Sequence, residues 1–200
     1  LLKQQPIRLA VFASGNGSNF EALVHSVHEG VIDGKIALLV SDQPDAYVLT
    51  RAKKLNVPSV AFTPKAFESK AAYEKEVLDH LKEAKVDLIV LAGYMRIVGK
   101  TLLQAFPERI INIHPSLLPN YPGRQGILDA FMDKAEQTGV TVHLVDEGVD
   151  TGPILAQETV AIEEHDTIDS LERKIHALEH ELFPKAIQKV IKELQKEHVK

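Results

Sequence analysis

The first stretch in which side-chain types and spacing could do chemistry is INIHPSLLPNYPG, residues 111 to 123. Strand alternation sends Asn112 and His114 to the same side. An amide and an imidazole side by side can polarise a carbonyl and hold its developing oxyanion. Histidine also carries protons near neutral pH. Pro115, Pro119 and Pro122 then stiffen the chain that follows, and Leu118-Pro119 is expected to be cis. The plain alternative is a capped strand followed by a turn.

Three further stretches merit the same weighing. DEGVDTGP, residues 146 to 153, puts three acids around two glycines. Such a loop can bring one carboxylate to a histidine, or be an ordinary acidic turn. Asp150, between Val149 and Thr151 in the tighter part of the loop, is a better candidate than Asp146 or Glu147. SGNGSN, residues 14 to 19, lacks the third glycine of a dinucleotide fingerprint, since Phe20 stands there, and no Gly-Lys-Ser/Thr follows to make a P-loop. A small polar turn into a helix N-terminus remains. Its free amides and dipole suit one phosphate, with Ser18 and Asn19 as added donors or caps. HALEH, residues 176 to 180, matches an inverted zinc-peptidase motif. A third ligand is needed, and Leu178 and Leu182 claim this helix for the core, so no metal site is expected. His25, His28, His80, His143, His165 and His198 read as surface or core filler.

These residues need elements to position them. Apolar runs at 7–13, 36–40, 57–62, 86–92 and 109–113 read as strands, separated by helical patterns at 20–27, 46–55, 69–84 and 100–106. A further helix is expected over 126–134, strands over 140–145 and 154–162, and a long helix from a cap at Asp166 or Thr167. Pro184 is expected to kink or break that last helix, and 185–200 to be a solvated, frayed tail. Strand–helix alternation implies an α/β fold: a three-layer, Rossmann-like, mostly parallel sheet with helices on both faces. The last strands are open to antiparallel pairing. Ligands in such sheets sit beyond the carboxyl ends of the strands, which places SGNGSN, Gly93-Tyr94-Met95-Arg96 and Asn112-Ile113-His114 on one rim.

Composition bounds the rest. The 200 residues carry 44% apolar side chains, enough for a core, and show no linker or repeat, so one domain over 1–200 is expected. A net charge of −5, from 23 basic and 28 acidic residues, argues against a nucleic-acid partner. The absence of cysteine excludes disulfides and thiolate chemistry and fits a reducing cytoplasm. No apolar run is long enough to span a bilayer, and the first residues show no cleavable signal pattern.

Together, SGNGSNF, LAGYMRI, INIHPSLLPNYPG and GVTVHLVDEGVDTGPI resemble the folate-dependent formyltransferases over essentially the whole chain. The resemblance implies transfer of the formyl group of 10-formyltetrahydrofolate to the primary amine of glycinamide ribonucleotide in purine biosynthesis. It implies Asn112, His114 and Asp150 as the catalytic trio. It places the substrate phosphate at Gly17, Ser18 and Asn19, with Glu179 contacting the ribonucleotide. Lys70, Met95, Arg96, Ile97, Val98, Asn112, Asp146, Glu147 and Asp150 would line the folate site. No metal is implied, and the chain is expected to act as a monomer or homodimer. Two positions depart from some relatives. Lys70 stands for an arginine, keeping charge but losing the bidentate fork, and Arg124-Gln125-Gly126 replaces a histidine-bearing segment. The rival readings are a formyltetrahydrofolate hydrolase with water as acceptor, a non-catalytic nucleotide-binding module, and a zinc peptidase.

Overall fold

The computed structural model describes residues 5–197. Strands and helices alternate: β1 (Ile7–Phe12), α1 (Ser18–His28), β2 (Gly34–Ser41), α2 (Tyr47–Lys54), β3 (Ser59–Ala61), α3 (Lys70–Glu83), β4 (Leu88–Leu91), α4 (Lys100–Ala105), β5 (Ile110–His114) and α5 (Gly126–Met132). Then come β6 (Gln137–Leu144), β7 (Ile154–Ala161) and α6 (Ile168–Glu197). One sheet holds all seven strands in the order β3-β2-β1-β4-β5-β6-β7. The pairs from β3 through β5 are parallel, and β6 and β7 join antiparallel. The strand order reverses between β1 and β4, so the crevice expected of such sheets opens at their carboxyl ends.

Strand alternation builds the three layers. Ile7, Leu9 and Val11 of β1 meet Phe20 of α1, Val48 of α2 and Ile175, Phe183 and Ile187 of α6. Ala10 and Phe12 face the other way, onto Tyr73, Val77 and Leu81 of α3 and Leu102 of α4. The central strands are therefore covered on both faces, which is why they read as unbroken apolar runs.

The helix ends explain where the elements stop. Ser69 Oγ accepts from Ala72 N–H at 3.0 Å and starts α3. The buried Glu74 carboxylate accepts from Gly99 N–H at 2.5 Å and Leu102 N–H at 3.3 Å, so α3 caps the N-terminus of α4. Thr167, the expected cap of α6, accepts from Ser170 N–H at 3.1 Å, while Ser170 Oγ accepts from Thr167 N–H at 2.9 Å. This is a reciprocal capping box.

Two expectations are corrected at the C-terminus. Of the kink or break expected at Pro184, the break does not occur, since α6 continues through it to Glu197, and the segment after it is no frayed tail, because Ala186, Ile187, Ile191 and Leu194 are buried. A helix-interior proline costs about 3 kcal/mol. Burial of each large apolar side chain returns roughly 1.5–3 kcal/mol, so the stripe beyond Pro184 outweighs the break. Lys185, Lys192 and Lys196 occupy the exposed side. His198 and the end of the expected tail, like Leu1–Gln4, lie outside the described residues.

Candidate active site

His114 ends β5, and the loop after it is held from several sides. Thr141 Oγ1 donates to Ser116 O at 2.7 Å and accepts from Leu118 N–H at 3.1 Å. Gln157 Nε2 donates to Leu118 O at 2.8 Å, and Ser116 Oγ donates to Asn120 O at 2.6 Å. The Leu118-Pro119 bond is cis, as expected. This loop returns the Tyr121 carbonyl to His114 Nε2 at 2.8 Å. A carbonyl only accepts, so Nε2 carries a hydrogen and the ring orientation is fixed. Gly126 permits the approach: a Cβ there would lie 3.1 Å from His114 Nε2 and 3.0 Å from Tyr121 O.

Asp150 faces the other side of the ring. Its backbone is left-handed, with φ of 54°, a conformation that aspartate tolerates better than most residues. Oδ2 accepts from Gly123 N–H at 2.8 Å and lies 3.5 Å from His114 Nδ1. That separation is an ion-pair approach rather than a made hydrogen bond. Asp146 folds the loop that carries Asp150, accepting from Thr151 Oγ1 at 2.6 Å and Gly148 N–H at 3.0 Å.

The same carboxylate meets a second histidine. His143 Nε2 lies 3.6 Å from Asp150 Oδ1 and 3.2 Å from Asn112 Nδ2. Its Nδ1 donates to Leu144 O at 2.8 Å. In a neutral ring, Nε2 then has a lone pair for one Asn112 amide hydrogen, which orients that amide. His143 is not core filler, although it is buried. It sits opposite Asn112 in the β5–β6 ladder, and the period-2 pattern of VTVHLV was the available signal. Burial works to raise the Asp150 pKa, but the approach of His143, the Gly123 amide and the His114 charge outweigh it, and the carboxyl sits below its ordinary value. The Thr151 hydroxyl does most to lower Asp146 likewise.

These groups line a cavity of about 360 Å³. Its other walls include Met95, Arg96, Ile97 and Val98 from the β4 exit and Val145, Asp146 and Val149 from the β6 exit. Met95, Ile97 and Val149 are apolar yet half exposed, as expected of a ligand-facing wall. Arg124 Nη2 donates to Met95 O at 3.1 Å across the mouth. A larger hollow, about 560 Å³, lies at the amino ends of β4 and β5 among Asp87, Phe106, Arg109 and Leu194. None of the expected site residues lies there.

The turn at 14–19 forms a neighbouring station. Ser14 N–H donates to Gly93 O at 3.0 Å. Ser14 Oγ donates to Asp42 Oδ1 at 2.6 Å and accepts from Met95 N–H at 2.9 Å, which joins the turn to the cavity wall. Gly17 is the N-cap of α1, with φ of 80° and no side-chain cap bond. Ser18 and Asn19 are therefore first-turn residues rather than caps. Glu21 N–H is bonded back to Gly17 O at 3.0 Å, and the amides before it belong to the helix's partnerless first turn. A Cβ on Gly17 would fall 2.4 Å from Val48 Cγ2. Arg51 anchors the turn through Asn16 O and Oδ1 at 2.8 and 2.7 Å and pairs with Glu21. Glu179, 4% exposed, reaches this station from α6 and accepts from Asn19 Nδ2 at 3.1 Å.

Asn112, His114 and Asp150 thus meet in the cavity with Met95 to Val98 and Asp146. Gly17, Ser18, Asn19 and Glu179 meet beside it. Lys70 and Glu147 are exposed and do not line the cavity. Among the described residues no group of three His, Asp or Glu side chains is arranged to hold a metal, and His176 of the zinc-like motif bonds Glu179 instead. No helix among them is long and apolar enough to cross a membrane.

A carboxylate-paired imidazole beside an oriented amide, at the mouth of a partly apolar cavity and next to an anion-suited turn, defines a group-transfer site of the acyl type. The chain belongs to the formyl transferase family, whose profile it matches over residues 7–187. It is 52% identical over 184 residues to the phosphoribosylglycinamide formyltransferase of Bacillus subtilis, covering 92% of this chain and 94% of that one. The crystal structure of phosphoribosylglycinamide formyltransferase from Bacillus halodurans superposes with a TM-score of 0.90 at 52% identity, over 92% and 95% of the two chains. A trifunctional purine biosynthetic protein of Drosophila melanogaster is 40% identical over 96% of this chain, which spans 14% of that longer protein.

Proposed function

We propose that this protein transfers the formyl group of 10-formyltetrahydrofolate to the primary amine of glycinamide ribonucleotide, a step of purine biosynthesis. The observation that carries this reading is the Asn112–His143–Asp150–His114 cluster, set in the wall of the cavity and next to the Gly17–Asn19 turn. The 52% identity to a relative named for this reaction supports it. A volume of about 360 Å³ suits a flat ring system. Its apolar residues would hold a pteridine, and Arg96 and Arg124 at its edge would favour the folate's carboxylate tail. Lys70 and Glu147 are further candidates for that outer part. Residues 1–200 would form one such domain, working in the cytoplasm as a monomer or homodimer.

Amine attack makes the formyl carbon tetrahedral and puts negative charge on its oxygen. The bond from that carbon to the folate nitrogen then breaks. The new amide nitrogen loses a proton and the departing nitrogen gains one. Asn112 Nδ2 gives one hydrogen to His143 and has the other for the oxyanion. His114 Nε2 is engaged by Tyr121 O, so Nδ1, facing Asp150, is the position that holds the mobile proton. It would be relayed through water rather than handed over directly. The ionised Asp150 carboxylate faces Nδ1 at 3.5 Å. The turn amides and Ser18 would bind the ribonucleotide phosphate, and Glu179 its ribose hydroxyls.

Absorbance-monitored release of deformylated folate, with and without glycinamide ribonucleotide, tests the reading. Ribonucleotide-dependent release with formylated product by mass spectrometry is expected. Release without the ribonucleotide would make the protein a hydrolase, and no release would leave a binding module. His114→Ala should lower turnover by roughly 10²–10⁴, and Asn112→Ala by about 10²–10³.

A further inference from the structure

Glu179 is buried, and yet among the described residues only one of its carboxylate oxygens is hydrogen-bonded. Oε2 accepts from Asn19 Nδ2 at 3.1 Å and from His176 Nδ1 at 3.0 Å. One donor comes from the first turn of α1 and the other from the preceding turn of α6. Both use Oε2, and among the described residues no hydrogen bond reaches Oε1. Asn19 belongs to the anion-suited turn, whose own donors are uncharged. Arg51, which anchors the turn, is already engaged by Asn16 and Glu21. His176, whose bond is to Glu179 itself, can add positive charge to this station. Its side chain is 52% exposed, so it exchanges protons freely with solvent.

We propose that His176 is a positioning residue of the acceptor subsite: its bond to Glu179 Oε2 fixes that carboxylate for the hydroxyls of a ribose 5′-phosphate and links acceptor affinity to the charge on His176. The inference rests on the functional reading above and goes beyond it by naming a residue that touches no substrate. Glu179 must stay ionised and oriented to accept two hydroxyl hydrogens. A protonated histidine on Oε2 does both, and it also offsets the repulsion between Glu179 and the substrate phosphate.

The charges around His176 support the link. Its hydrogen bond to Glu179 raises its pKa above the ordinary value, burial opposes this, and the charges of Glu179 and Glu172 add to it. His180, one turn on, is pushed the other way by burial, with Glu179 and His176 acting on it in opposite senses. No charged group of α1, α5, β6 or β7 shifts His176 among the described residues. The sign follows. His176 is charged below its raised pKa and loses the charge as pH climbs through it, so acceptor affinity should weaken on the alkaline side.

The test is the KM for glycinamide ribonucleotide of the whole protein, His176→Ala and His176→Gln, from pH 6 to pH 9, with kcat and the folate KM measured alongside. Dividing each variant's KM by that of the unaltered protein at the same pH cancels ionisation of the substrate. For His176→Ala the ratio should be about fivefold at the acid end, the scale of a partly exposed ion pair, and should approach one at the alkaline end. His176→Gln, which keeps a donor but no charge, should fall between and show a ratio that also shrinks with pH. The kcat and folate KM should stay within about twofold. A ratio near one throughout, or one equally raised at every pH, would overturn the link to charge. Parallel changes in kcat and folate KM would make His176 merely structural and would also overturn it. Failure of the unaltered protein to formylate the ribonucleotide is read before any variant is made, and would instead remove the function on which the inference rests.

Discussion

Asn112 and His143 face each other across two antiparallel strands, and this single pairing decides which way the amide points. Replacing His143 by alanine leaves Asn112 free to turn and takes one histidine from Asp150. Turnover should fall by about tenfold to a hundredfold, short of the loss of the donor itself, while the folate KM changes little; steady-state kinetics on folded protein would check this. Asn112, His114 and Asp150 were legible in the sequence, because each stands at a strand exit or in a tight loop and together they carry a family pattern. His143 was not. Its role depends on the register between β5 and β6, and no short window of sequence states which residue of one strand lies opposite which of the other. The Tyr121 carbonyl on His114 escaped for the same reason, since backbone groups leave no trace in residue types.

Among the elements, the turn before α1 and the second half of α6 show what pattern can and cannot say. The glycine turn was readable as a helix entry, but the need for glycine at 17 comes from Val48 of α2, 2.4 Å from where a Cβ would stand. Gly17→Ala combines that clash with a left-handed backbone. It should destabilise by about 1–3 kcal/mol and weaken ribonucleotide binding more than folate binding; a denaturant titration and paired KM values separate the two effects. For α6, the stripe from Ile168 to Leu182 was legible and its continuation was not, because proline is a strong local stop signal. Tertiary burial overrode it. Ile191→Ala, deep beyond Pro184, should cost about 2–5 kcal/mol, measured by chemical unfolding. A tail that was truly frayed would lose almost nothing.

For the molecule as a whole, the sheet carries most of the site at one rim while charge is spread over the surface. Several carboxylates sit below their ordinary pKa: Glu21 beside Arg51, Asp146 beside Thr151, Asp150 against its histidines and Asp166 beside Lys174. Groups depressed on folding add stability that is present above their unfolded pKa and is lost as pH falls through the lowered folded values. Unfolding followed by circular dichroism should therefore begin only below about pH 4, and Asp150→Asn should flatten part of that acid dependence. That the sheet is mostly parallel was readable from the alternation of patterns, and that its last strands could pair antiparallel from the changed rhythm after residue 134; the strand order was not. The acceptor station is closed by a contact that spans most of the chain. The bond between Asn19 and Glu179 joins residues 160 positions apart, whereas the cavity is walled by residues between 91 and 150. Long-range closures are slow because chain entropy is spent before contacts form. During refolding, the pocket for the donor should therefore appear first, and the place for the acceptor only when the last helix docks. For part of that time the protein would hold one substrate with nowhere to put the other.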